Sequence, residues 1–461
     1  GFRKNLYLKR SDTSRKDEST GRLKVNWQLA DNTKIKFLIS QVDLNDPADI
    51  WTIDGSLNTL SDRPGMDSQK TNSYGMKVFH SFDGFELQSY TSSTDTNVIF
   101  SYDADWGNTD SHFPYVYDYF SETLRDRKSF NQEFRAVSDS ADFQKNSFFE
   151  WVIGANYLEL KESNLKKDDG LYGDPSDPYG PYASASASSS KYKSSNFSVF
   201  GNLDYLLSAS LKFSIGLRWE DWEADYSDSL QESFNPTDKM SGGKISLIKN
   251  MTNDTNMYAS LAKGYKQGGF NLGLGLDANA TNKNLAYDPE FLTNYELGIN
   301  TKLLDSRITF NGVLFYSDRE DQQVLISTQT DPSDPNTFSF LTQNAAEGVN
   351  HGLEINMDMD INQSLSAFVN LGILKTEIKN WQSRQDLEGR AQAHAPERSY
   401  ALGLNWAPTS HTYLAIDFTG KSSFYYSDSH NNKSKSYVLT NLNLGYVKNN
   451  WNYELWARNI F

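Results

Sequence analysis

Two polar stretches hold the side chains best suited to gripping a ligand. In SYDADWGNTDSHFPYVYDYF (101–120), Trp106, Phe113, Tyr115, Tyr117, Tyr119 and Phe120 stand among acids, and SSFYYSDSH (422–430) adds Phe424, Tyr425, Tyr426 and His430. Aromatic rings on polar loops need a partner surface, and flat, partly apolar iron chelates or sugars would stack on them. The same rings could equally pack loop against loop and close a mouth. Catalytic spacing is missing. The histidines at 80, 112, 351, 394, 411 and 430 show no metal-ligand spacing. There is no Gly-x-Ser-x-Gly elbow and no phosphate loop, and Gly273-Leu274-Gly275 lacks a third glycine and a βαβ context. DPSDPN (331–336) has calcium-type ligands but is first a turn former. No enzyme, resident metal or cofactor is expected.

Composition narrows the class. A chain of 461 residues is two or three ordinary domains or one large β structure. Its apolar runs are short and its mean hydropathy is −0.64, so no transmembrane helix is present. With no cysteine there is no disulfide framework and no thiolate chemistry. A net charge of −15 without a basic stripe argues against nucleic acid. The opening GFRKNLYLKR has no signal-peptide character and reads as the middle of something, a mature fragment. Aromatics reach 14% despite the low hydropathy, which suits a two-faced β wall.

The elements that would position the loops are strands. In NYELGINTKLLDSRITFNGVLFY (294–316), Tyr295, Leu297, Ile299, Thr301 and Leu303 alternate with polar residues. After Leu304-Asp305-Ser306, Ile308, Phe310, Gly312, Leu314 and Tyr316 resume the alternation. The same hairpin pattern recurs around turns near 31, 82, 209, 362, 408 and 449. Long polar connections separate the hairpins, at roughly 44–69, 96–127, 161–190, 223–240, 266–290, 319–347, 376–394 and 423–433. The segment 170–190, turn-rich and then a small-residue tract, reads as a mobile external loop.

About nineteen strands result, with short turns at one end and long loops at the other. Trp27, Trp406, Tyr446 and Trp451 fall beside short turns, and Trp219, Tyr295 and Tyr316 at long-loop ends, all in phase with the apolar face. Two aromatic rims around an aliphatic band are the girdles of a membrane barrel. A soluble propeller or stack of sandwiches is the alternative, but the repeated blade motif of a propeller is absent. The fold expected is an all-β transmembrane antiparallel barrel whose apolar face meets lipid. Residues 1–461 form this barrel without a separate second domain. On its polar face, Glu133, Glu150, Glu296, Glu354 and Glu454 lie near Arg135, Arg218, Lys302, Arg307 and Arg458. They are expected to solvate the interior and pair across strands.

One set of motifs is more specific. Gly264-Tyr265-Lys266-Gln267-Gly268-Gly269-Phe270-Asn271 precedes Tyr287-Asp288-Pro289-Glu290 and Asn294-Tyr295-Glu296-Leu297-Gly298. Asp321-Gln322-Gln323-Val324, Gly352-Leu353-Glu354, Gly389-Arg390 and Arg458-Asn459-Ile460-Phe461 follow in order. The succession resembles the barrel of TonB-dependent outer-membrane transporters, within them the pesticin/yersiniabactin-receptor-like group of iron-complex receptors. Ile460 stands where that family usually has leucine. The resemblance implies a barrel of about 22 strands closed by an N-terminal plug. Neither the plug nor a TonB box is in this sequence, which reads as truncated at both ends.

The partners implied are outer-membrane lipid, the plug, the TonB complex and a small-molecule or metal-chelate cargo, in the outer membrane of a Gram-negative bacterium. A ferric siderophore is the first cargo implied; cobalamin, haem, oligosaccharide, or a passive porin or surface-binding barrel are the alternatives. Arg390 joins Trp106, Tyr115, Tyr117, Tyr119, Tyr425, Tyr426 and His430 as loop candidates for ligand contact. Read from the residues alone, Gly268-Gly269 gives the backbone freedom to turn inward where a strand leaves the membrane.

Overall fold

The structure, a computed structural model, describes residues 3–139, 148–229, 233–271, 286–329, 338–381, 384–428 and 430–460. Gly273-Leu274-Gly275, the 331–336 cluster and Phe461 lie outside these residues. Among the described residues, eighteen antiparallel strands have seven residues or more. They are β1 Glu18–Ala30, β2 Thr33–Pro47, β3 Met66–Ser81, β4 Phe85–Asp103, β5 Val116–Ser138 and β6 Phe149–Gly173. Next come β7 Tyr182–Ser208, β8 Leu211–Asp228, β9 Thr237–Asn250, β10 Thr255–Lys266, β11 Glu290–Leu303 and β12 Ile308–Gln329. The last are β13 Phe338–Asn362, β14 Leu365–Asn380, β15 Arg398–Thr409, β16 Thr412–Lys421, β17 Tyr437–Lys448 and β18 Trp451–Ala457. The chain divides into two compact units. The first is Gly1–Asp142, Val152–Phe200 and Trp219–Lys239; the second is Phe143–Trp151, Gly201–Arg218 and Met240–Phe461.

In the second unit, β11 and β12 form the hairpin expected from alternation. Leu304, Asp305 and Ser306 all take positive φ in the turn. Tyr295 pairs with Tyr316, Leu297 with Leu314, Ile299 with Gly312 and Leu303 with Ile308. The rungs continue across neighbours: Tyr316 faces His351, and His351 faces Lys375. Leu314 likewise faces Leu353, which faces Ile373. Residues directly opposite share a face, so these rungs are an apolar surface bounded by a Tyr–Tyr–His–Lys row. Leu297 and Leu314 are 60% and 55% exposed, far more than a protein core would leave them. Nine residues separate the ends of this band, Tyr295 to Leu303 inclusive, about what a strand tilted by ~45° needs to cross a bilayer.

The first unit repeats the pattern. Leu23, Ile39, Tyr74, Ser93 and Phe130 are successive register partners on one rung. Val25, Phe37, Met76, Thr91 and Gln132 form the next. Gln132 breaks the apolar run but is satisfied there: the Thr91 hydroxyl donates to its carbonyl at 2.6 Å and its amide donates to Ser89 at 3.1 Å.

The strands run much farther than alternation suggests. Of the expected connection 161–190, only 174–181 lies outside β6 and β7, and the small-residue tract is strand rather than a mobile loop. Of 96–127, only 104–115 is loop. Beyond the apolar band both faces of a strand are wetted, so nothing there demands an apolar–polar alternation, while backbone pairing continues regardless. Val116 still pairs with Gly173 at the far end of the β5–β6 ladder.

Candidate functional site

The eight loop candidates fall into two groups, one in each unit, and each group mixes packed with presented rings. In the first unit, the rings of Tyr117 and Tyr119 at the start of β5 lie tilted against each other at 4.7 Å, and His112 meets Tyr117 edge-on at 5.3 Å. The Tyr119 ring lies over Gly170, where a Cβ would come within 2.3 Å of it. These two tyrosines are therefore packing residues of the loop. Trp106 and Tyr115 are instead 43% and 46% exposed. Trp106 sits at φ 63° inside the turn Asp103–Asn108, with Asp105 accepting hydrogen bonds from the Gly107 and Tyr119 amides at 2.9 and 2.7 Å.

Sequence reasoning missed what holds that loop. Arg63 binds Asp118 and Asp169 and lies 5.1 Å from the Phe120 ring, so it ties the 48–65 connection to the tips of β5 and β6. Its partners are 55 and 106 residues away, a separation with no local signal. Lys4–Asn5 pairs in parallel with Asn58–Thr59, and the Asn5 amide donates to Asp49 at 2.9 Å. The floor is a group of buried acids. Burial, with Asp105 and Asp62 nearby, pushes the Asp103 carboxyl up to about 8. Burial chiefly, then Asp118 and Asp105, raises Asp62 as well.

The sign of the resulting pH effect is fixed. A carboxyl whose folded pKa lies above its unfolded value stabilises most when both states are protonated, near pH 4 and below. That stability is progressively lost as pH rises to about 8. The Asp62 amide, which donates to the Gly107 carbonyl at 2.9 Å, is expected to exchange more readily at pH 9 than at pH 6 after correction for intrinsic rates. Asp103→Asn should remove most of that difference. An unchanged pH profile in the variant would sink the assignment to Asp103.

In the second unit, the chain after β14 doubles back. Gly389 at φ 78° lets its own amide donate to the Ile378 carbonyl at 2.8 Å while the Ile378 amide donates to Arg390 at 2.9 Å. That return buries Leu387, Ile378 and Trp381 against Val324. Arg390 then spans to the 423–434 connection. Its guanidinium donates to the carbonyls of Ser427 and His430 and to the side chains of Asp428 and Asn431, at 2.9–3.1 Å. The Tyr425 ring is held between Arg390 at 4.3 Å and Lys433 at 4.2 Å. Arg390 and Tyr425 are thus committed to joining two loops. Tyr426 and His430 are exposed on the surface so formed.

The glycine motif has a different role from the one expected. Neither Gly268 nor Gly269 is among the positive-φ residues. Gly269 and Phe270 pair with Tyr287 and Ala286, and a Cβ on Gly269 would lie 2.6 Å from the Tyr287 hydroxyl, so space rather than backbone freedom selects glycine. Asn271 behaves as one more strand residue: its amide donates to the Thr342 carbonyl at 2.9 Å, and its carbonyl accepts the Thr342 amide at 2.6 Å. Gln323 donates to the carbonyls of Gln267 and Asp288, and Arg319 pairs with Glu290. Gly264 faces open space, and the Tyr265 hydroxyl accepts from Arg218 at 3.2 Å. Gly298 sits under the Tyr258 ring, its cross-strand partner, where a Cβ would come within 2.1 Å. Glu296 faces the polar side, accepting the Asn294 amide at 2.8 Å.

Of the polar-face pairs, Arg135 binds Glu133 of its own strand rather than a neighbour's, over the Tyr90 ring. Trp27, Trp219, Trp406, Tyr446 and Trp451 are exposed. Trp451 stacks on Tyr453, and Tyr453 lies 6.5 Å from Tyr446. Among the described residues no group of three His, Asp or Glu side chains is arranged to hold a metal ion.

An antiparallel wall with an exposed apolar band and polar, aromatic-bearing loops is an outer-membrane β-barrel. The TonB dependent receptor-like β-barrel family matches residues 11–460, and the chain belongs to that family. It resides in the Gram-negative outer membrane. Solved structures share the fold. The ferric yersiniabactin uptake receptor FyuA from Yersinia pestis superposes with a TM-score of 0.75 at 16% identity, over 100% of this chain and 68% of that one. The copper transporter OprC gives 0.72 at 14% identity, over 100% and 68%. The siderophore receptor PiuA from Acinetobacter baumannii gives 0.70 at 14%, over 94% and 68%.

Proposed function

We propose that the protein is the barrel of a TonB-dependent active transporter that takes up a ferric siderophore or a similar iron complex, and that it is not an enzyme. The observation that carries this is the superposition of the whole chain on a ferric yersiniabactin receptor. It is supported by the rings that the loops leave uncovered, Trp106, Tyr115 and Tyr426, which a flat chelate can stack on. Arg390, Tyr425, Tyr117 and Tyr119 would hold those loops in place. Trp27, Trp219, Tyr316, Trp406, Tyr446 and Trp451 would sit at the lipid–water boundaries. The plug and the TonB complex are the partners this reading requires.

The test is uptake of labelled ferric siderophores in cells with and without the receptor, each with and without a working TonB system. Iron accumulation should need both. Entry independent of TonB would overturn active transport in favour of a passive pore. A second reading, uptake of another metal species, rests on the equally complete match to a copper transporter. Labelled copper entering in place of iron would decide for it.

A further inference from the structure

On the face of the first unit opposite the apolar band, alternation collects cations. Leu23, Val25 and Trp27 face lipid with their partners Ile39, Phe37 and Ile35, so Arg22 and Lys24 of β1 turn inward. Lys34 and Lys36 of β2 and Lys77 of β3 do the same. Lys36 and Lys77 are register partners, and Lys34 stands opposite Phe79. Like charges directly opposite each other cost stability unless an anion accompanies them. This cationic face belongs to a chain whose net charge is −15.

The chain's own carboxylates leave these cations unmatched. The rung through Lys36 and Lys77 continues to Tyr90 and Glu133, but Glu133 is held by Arg135. Glu86, farther toward the turn, accepts the Gln88 amide at 2.7 Å. Among the described residues, no carboxylate forms an ion pair with any of the five cations. Arg22, Lys24, Lys34 and Lys77 are exposed on this face.

Two of the ammonium groups are held in place over rings. Lys36 Nζ lies 5.2 Å from the Phe79 centroid and Lys77 Nζ 4.9 Å from that of Tyr90, and the two rings meet edge-on at 5.9 Å. The lysines of β2 and β3 stand near the short turns after Ala30 and Ser81, and short turns of outer-membrane barrels are periplasmic. They thus mark the exit end of the inner wall. Where this chain fixes one segment to another it uses the arginine fork, as at Arg63 and Arg390. Four of the five inward cations are lysines, point charges on flexible stems, which suit an anion that comes and goes.

We propose that Arg22, Lys24, Lys34, Lys36 and Lys77 form an exit-side site for a polyanionic metal chelate, and that the protein favours such cargo over neutral chelates. The site deepens the transport reading and rests on it.

Lysine acylation of the receptor in detergent, read by peptide mass spectrometry, tests the site. The polyanionic ferric complex of a tricatecholate should slow acylation of Lys34, Lys36 and Lys77 about tenfold, and a neutral cyclic ferric trihydroxamate should not. In cells, K34Q/K36Q/K77Q should lose the preference for the anionic chelate in uptake, and K34R/K36R/K77R should keep it. The single Lys36→Gln variant, expected to be intermediate, serves if the triple variant does not assemble. Equal protection by both complexes, or protection by neither, would overturn the site. Lysines already unreactive in the ligand-free receptor would also overturn it, by giving the cations to an acidic face of the plug. Failure of the transport reading itself shows separately, as no labelled iron entering from either chelate.

Discussion

Arginine in place of Ile299 is expected to cost about 2–4 kcal/mol of folding stability, Leu297→Arg less, and Tyr295→Arg about 0–1 kcal/mol. The three side chains share one face of β11, and their cross-strand partners are Gly312, Leu314 and Tyr316. They differ mainly in distance from the Tyr295–Tyr316 row that marks the boundary. In water, charging an exposed Leu297 would be nearly neutral, because surface substitutions usually change stability by less than about 0.5 kcal/mol. Only a lipid environment makes the cost grow toward the middle of the band. Unfolding in urea from lipid vesicles measures it. Thr309→Arg on the opposite face, across from Lys302 and Asp358, is the control and should cost little. A flat profile along 295, 297 and 299 would mean that this face does not meet lipid.

Arg390→Ala is expected to release the 423–434 connection without melting the strands. Its side chain is 8% exposed and its partner Asp428 15% exposed, so truncation leaves a buried carboxylate with the Ala393 amide as its remaining donor. Breaking such a pair from one side typically costs about 3–5 kcal/mol. That loss falls on a segment whose opening is local, since the long ladders have their own backbone bonds. The Ser434 amide, which donates to the Phe424 carbonyl at 2.8 Å, should lose most of its protection from hydrogen exchange. Thermal unfolding of the strands should move little. Lysine should not rescue, because one ammonium cannot reach four acceptors set around a planar fork. Were Arg390 a ligand contact with no part in joining the loops, Arg390→Ala would weaken cargo binding while leaving Ser434 protected.

What was legible in the sequence follows from where the physics is local. Tyr295, Leu297 and Ile299 announce their strand because lipid on one side and water on the other impose a period of two. Leu304-Asp305-Ser306 announces its turn because the chain must reverse there. The glycine motif was visible as a motif but not as a mechanism. That Gly269 makes room for Tyr287, and that Asn271 bonds Thr342 seventy-one residues away, are facts of packing between distant segments. The loop candidates were found by type alone. Tyr115 and Tyr117 look alike in sequence, yet one is exposed and the other packs against the rings of His112 and Tyr119.

The sequence by itself determined the class of the wall: antiparallel strands, an apolar face for lipid, turns at one end and loops at the other. A two-residue repeat carries that information wherever the two faces meet different solvents. Only the tertiary structure decided how far the strands run past the membrane, which rings are presented, and which charges hold the loops. Beyond the band both faces meet water, the repeat disappears, and contacts such as Arg63 with Asp169 are set by register between strands rather than by neighbours along the chain.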